Sequence, residues 1–161
     1  MRATNPRTIL AITIALAVLS YAAYTFLSIP RAVSLPNPPS RFAVNGRTFG
    51  ITYIAADQNS RATGLMNKKV TNSTTMLFVF PSPGEYSFWM SGVNTTLDII
   101  WLNVSADVGR VVYMVRNVPG CSSPVSCPVY QPYSTANWVL EVKGGFAEAH
   151  GVEVGTTVTF S

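Results

Sequence analysis

Residues 61–103 read RATGLMNKKVTNSTTMLFVFPSPGEYSFWMSGVNTTLDIIWLN, and this stretch decides the fold class. Met76–Pro81 (MLFVFP) and Phe88–Asn103 (FWMSGVNTTLDIIWLN) are dense apolar runs interrupted by Pro81, Gly84 and Gly92. Apolar runs this dense, cut by turn formers, predict short strands buried on both faces. The charges within the stretch are Arg61, Lys68, Lys69, Glu85 and Asp98. A buried charge requires a partner or hydrogen bonds. Asp98, flanked by Leu97 and Ile99, is therefore the first candidate for a special role.

Outward from this stretch the strand pattern continues. Arg41–Val44 and Arg47–Ala55 flank Asn45-Gly46, a dipeptide suited to the left-handed backbone of a two-residue hairpin turn. In the second arm Phe49, Ile51, Tyr53 and Ala55 alternate with Thr48, Gly50 and Thr52, which predicts one strand with one buried face. Asp57 offers an N-cap for a short helical turn reaching about Met66. On the C-terminal side, Arg110–Val118 and Asn137–Lys143 alternate as strands. Phe146–His150 reads as a helical turn ended by Gly151, and Val152–Ser161 supplies the last strand. About eight short strands and two brief helices predict a mainly β domain: an antiparallel sandwich, jelly-roll-like, or a partly closed barrel.

The series Gly64-Leu65-Met66, Met76–Phe80, Phe88-Trp89-Met90, Leu97–Ile100, Cys127–Tyr130 and Val139-Leu140-Glu141 resembles the family called domain of unknown function 192, from about Phe42 to the C-terminus. The resemblance implies a compact, jelly-roll-like β domain, often exported, with no established activity. It departs in one place. After Trp-Met the family carries a Lys-Asn-Thr-like triplet, where this chain has Ser91-Gly92-Val93.

The N-terminus reads differently. Thr8–Ile29 is a run of 22 residues without a charge. As a helix it would be about 33 Å long, enough to cross a hydrocarbon core of roughly 30 Å. Arg2 and Arg7 precede it, so the rest of the chain is expected outside the cytoplasm. The organisation expected is a single-pass membrane anchor or signal peptide over 1–29, a Pro-rich extended spacer over 30–40, and an extracytoplasmic β domain over 41–161. An apolar helix carrying a β head also resembles pilin anatomy, which makes a structural surface subunit an alternative. The net charge of +4 includes Arg2 and Arg7. The remaining basic residues are scattered, so nucleic acid is not an expected partner.

Few residue patterns carry chemistry. Cys121 and Cys127, six positions apart in a Pro-rich loop of an exported domain, are expected to form a disulfide. Asn72, Asn94 and Asn103 head three N-glycosylation triplets. His150 stands alone, and neither a metal site, a cofactor signature nor a catalytic triad is read. Asp98 and Glu141 each interrupt an apolar strand. Three readings follow: a buried ion network with Arg61; a small polar binding site walled by Trp89 and Met90; or the acid and base of a hydrolase, which needs two carboxyls roughly 5–9.5 Å apart. The function expected is a binding or accessory module for a small-molecule, glycan or protein partner, with hydrolysis as the alternative.

Overall fold

The computed structural model describes residues 14–21, 35, 37–122 and 125–161. The chain divides into two units, Met1–Arg31 and Ala32–Ser161. In the first, residues 14–21 form a helix (α1) with exposed side chains, and the rest of the expected span over 8–29 lies outside the described residues. Among the described residues no helix is long and apolar enough to cross a membrane.

The second unit is mainly β. Its elements are β1 (Arg41–Val44), β2 (Arg47–Gly50), β3 (Tyr53–Ala55), α2 (Gln58–Thr63), β4 (Thr75–Gly84), β5 (Phe88–Trp89), β6 (Leu97–Ser105), β7 (Val108–Val118), β8 (Val129–Tyr130), β9 (Ala136–Lys143), α3 (Phe146–Ala149) and β10 (Thr157–Phe160). Eight strands form one sheet in the order β2-β1-β10-β7-β6-β9-β4-β3, and β5 and β8 form a separate ribbon. The β1–β2 hairpin turns on Asn45 (φ 48°) and Gly46 (φ 75°), the positive-φ pair that matches the twist of the strands it joins.

The expected strand over 47–55 is corrected by this order. It breaks at Ile51-Thr52, because β2 lies on one edge of the sheet and β3 on the other. With two residues between them, the edges must come together, and the sheet curls into a half-barrel. Thr75 clamps the seam: its hydroxyl donates to Gly50 O at 2.6 Å, and its carbonyl accepts from Thr52 N at 3.1 Å. A curled single sheet, not two facing sheets, is thus the architecture. The expectation of purely antiparallel pairing also needs correction, since β3 and β4 run parallel. Parallel neighbours need a crossover, and α2 supplies it between them. Asp57 caps α2 as expected, accepting from Ser60 N at 3.0 Å in a reciprocal capping box.

Both faces of the sheet are buried, each in its own core. One contains Phe42, Leu77, Ile100, Leu102, Leu140 and Val142, with Ala147 of α3. The other contains Met76, Phe78, Ile99, Trp101 and Val139, with Leu65 beyond α2 and Phe88 of β5. The expected spacer is not wholly separate from the domain. Leu35 packs against the first core, and Ser40 N donates to Ser161 O at 2.8 Å. Cys121 and Cys127 form the expected disulfide, with Cα atoms 5.8 Å apart.

Candidate functional site

Register sets which core each carboxylate meets. Directly opposed residues on neighbouring strands share a face. Asp98 of β6 stands opposite Val142, while Glu141 of β9 stands opposite Ile99 on one side and Met76 on the other. The two acids therefore point to opposite faces of the sheet. The proposed grouping of Asp98 with Arg61 and Glu141 is corrected: Arg61 and Glu141 line one cavity, and Asp98 lies behind the sheet from it.

Asp98 is fully buried, and its carboxylate is occupied by backbone donors. It accepts from Asn117 N at 2.7 Å, Ala147 N at 2.8 Å and Gly145 N at 3.3 Å. Asn117 has φ 52° where the β6–β7 register shifts, so Asp98 receives the amide turned out by a bulge. The start of α3 has no side-chain cap of its own, and Asp98 supplies the acceptor. Its role is architectural: it joins β6, β7 and α3.

Glu141 is in the opposite situation. It is 4% exposed, and Oε2 has no hydrogen-bond partner among the described residues. With Met76 and Ile99 as lateral neighbours, burial pushes its carboxyl up from the ordinary 4.5 to about 8. The group thus carries its proton at neutral pH and presents an O–H donor and a carbonyl acceptor.

The cavity on this face has a volume of about 300 Å³. Glu141 contributes to its lining from β9, and α2 with the turn after it, residues 58–66, forms one side. Arg61 reaches over from α2: Nη1 donates to Ala56 O at 2.8 Å and Val79 O at 3.0 Å, and the guanidinium carbon sits 5.3 Å from the Phe80 ring centre. These contacts hold a half-buried cation in place without a carboxylate. The facing side is aromatic. Phe80 stacks on Tyr86 with ring centres 3.5 Å apart, Phe78 meets Phe88 edge-on at 4.8 Å, and Trp89 is 44% exposed at the rim.

The sequence-predicted site is brought together in part. Arg61, Trp89 and Glu141 line the cavity, whereas Met90 is fully buried in the core and is not part of its wall. Met90 instead faces inward where its carbonyl accepts from Cys121 N and Val93 N. The lining residues missed include Phe78, Phe80, Tyr86, Phe88 and Ser91. The available signal was the density of aromatics between Phe78 and Trp89, which also suits an ordinary core. Ser91, one of the residues departing from the family-like triplet, lies on the cavity wall.

The loop after β7 braces the rim. A bridge pairs Ser91 with Cys121, Gly92 N donates to Cys121 O at 2.8 Å, and β5 pairs with β8 beyond the disulfide. Gly120 passes so close to the Val93 carbonyl that a side chain there would collide with it. Asn72, Asn94 and Asn103 are all exposed. His150 packs with its ring tilted against those of Phe49 and Phe146, centres 4.8 and 4.5 Å away, with Nδ1 3.4 Å from Arg47 Nη1.

Chemically, the cavity presents one cation and one neutral carboxyl beside an aromatic wall. A paired-carboxyl hydrolase is not supported by this geometry, because the second acid faces away and its oxygens are taken by amides. Among the described residues no group of three or more His, Cys, Asp or Glu side chains could hold a metal ion.

The model of the family DUF192, described as an uncharacterized ACR, matches residues 42–160. No curated protein matches the chain. Two solved structures share the fold. One is a proposed transcription regulator from Sinorhizobium meliloti 1021, 23% identical with a TM-score of 0.63, covering 80% of this chain and 98% of that one. The other is a protein of unknown function from Novosphingobium aromaticivorans DSM 12444, 23% identical with a TM-score of 0.60, covering 81% of this chain and 92% of that one. At that identity the likeness speaks for the fold alone.

Proposed function

This chain belongs to the DUF192 family, and from that premise we propose that its β domain is a binding module that takes a small ring-bearing molecule in the cavity over β9. The observation that carries the reading is Glu141: a buried carboxyl oxygen without a partner, in a cavity with aromatic walls. Leaving such a group unsatisfied costs about 1–3 kcal/mol; Oε2 itself is sealed from solvent, and a small shift of the side chain toward a ligand hydroxyl or carbonyl would remove that cost. Pockets of mainly apolar lining with a few convergent polar groups are the usual form of small-molecule sites. The size of the cavity favours a small molecule over a glycan chain or a protein surface.

In this reading the module is anchored in the membrane by Thr8–Ile29 and faces outside the cytoplasm. The uncharged run, its basic flank at Arg2 and Arg7, and a disulfide suited to an oxidising compartment support it.

The test is titration of the full chain, in detergent micelles, with phenol and with indole. Saturable shifts of the Gly64, Ser87 and Ser91 amide resonances, with those of Asn103 and Ser161 unmoved, are expected. Trp89→Ala is expected to weaken both. Shifts spread evenly over the domain, or none at all, would rule the binding site out.

A further inference from the structure

We infer that the molecule this cavity is built for is a small carboxylic acid, its carboxylate held by the Arg61 guanidinium and its ring body by the aromatic wall. The inference rests on the binding-module reading above and adds the chemical class of the ligand.

The charge inventory of the cavity carries it. Arg61 is permanently cationic. Its Nη1 is committed to two carbonyls, and its Nε and Nη2 donors have no partner among the described residues. Two neutral carbonyls position a guanidinium but do not neutralise it. The other lining residues with ionisable side chains are Glu141 and Tyr86. Glu141 is kept neutral by burial, so it cannot serve as the counter-charge. The cavity is left with one unbalanced positive charge beside an apolar wall, where the local dielectric makes that charge count for more than in water.

A cationic ligand would be repelled, and a neutral one would leave the charge as it is. A carboxylate matches a guanidinium fork with two parallel bonds. Inorganic phosphate has no ring body to pack against the aromatic wall, which offers its oxygens few donors. The neutral Glu141 carboxyl then adds an O–H donor to a ligand oxygen. An ionised Glu141 would repel the same ligand, so its burial and the Arg61 charge act in one direction.

The experiment compares benzoate, its neutral counterpart benzamide, and inorganic phosphate, each titrated into the full chain in micelles at pH 6. Benzoate is expected to bind at least about tenfold more tightly than benzamide, the scale of a charge-assisted hydrogen bond, and phosphate to leave the cavity resonances in place. Arg61→Gln is expected to bring benzoate binding down to the level of benzamide binding in the same variant. The comparison within the unaltered chain needs no variant, so a folding defect in Arg61→Gln would not obscure it. Equal binding of benzoate and benzamide, or a stronger response to phosphate, would overturn the carboxylate inference while the site reading stands. Binding of phenol or indole with no response to benzoate would do the same. Silence from all of these probes would overturn both.

Discussion

Asp98 and Glu141 lie on adjacent antiparallel strands, one register position apart, and face opposite sides of the same sheet. The consequence is a division of labour. Asp98 is saturated with backbone amides and holds the domain together, while Glu141 keeps an oxygen without a partner and faces a cavity.

Asp98→Ala is expected to destabilise the domain by about 3–5 kcal/mol, because it leaves buried amides of β7 and α3 without an acceptor. It is expected to leave phenol and indole binding unchanged in the folded fraction. Chemical denaturation of the full chain reads the first effect and resonance titration the second. A loss below about 1 kcal/mol would contradict the architectural role.

Glu141 makes stability depend on pH in a defined direction. Its carboxyl is raised from 4.5 to about 8 in the folded chain. Between those values the folded state holds a proton that the unfolded state releases, so stability is greatest below pH 4.5 and falls as pH rises towards 8. The limiting slope from this one group is about 1.4 kcal/mol per pH unit. Glu141→Gln is expected to remove that component, and so to be more stable than the parent chain at pH 7. Parallel stability curves for the two chains between pH 4.5 and 8 would contradict the assignment.

The features set by local chemistry were legible in the sequence. Asn45-Gly46 specified its turn, Asp57 specified the start of α2, and the alternation of Trp138, Leu140 and Val142 marked one face of β9. What could not be read was set by closure of the sheet. Phe49 to Tyr53 alternates across the break, and nothing local records that the chain changes edges at Ile51-Thr52. The facing of Asp98 was hidden for a related reason. With a core on each side, Leu97, Asp98 and Ile99 are all buried, and an unbroken apolar run does not reveal which face a residue takes. Arg61 and Glu141 line one cavity, and scarcity of charge in the sequence is what drew attention to both. Met90 was misplaced because adjacency to Trp89 in sequence does not fix facing: β5 ends at Trp89, and Met90 is buried in the core.

Reduction of the Cys121–Cys127 disulfide is expected to lower stability by about 2 kcal/mol, in keeping with the short loop it closes. The local effect is expected to be larger than the global one: the Gly92 amide, which donates to Cys121 O, should exchange faster with solvent than amides of β6. Gly120→Ala is expected to act on the same contact by pushing the loop off the Val93 carbonyl. Unchanged exchange at Gly92 in both cases would show that the loop does not brace the rim.

The topology proposed for the N-terminal stretch has its own test. Protease added to intact cells is expected to cut near residues 30–34 and release the β domain. Protection until lysis would reverse the orientation.

The carboxyl carbon resonance of Glu141 reports directly on its protonation and on its contact with a ligand. In the full chain labelled at glutamate side chains, the signal missing from Glu141→Gln is followed from pH 4 to 10, with and without phenol. A midpoint of about 8 and a shift of that signal on addition of phenol are expected. A midpoint in the ordinary carboxylate range, with no response to phenol, would contradict the reading of Glu141 as a neutral, ligand-facing carboxyl.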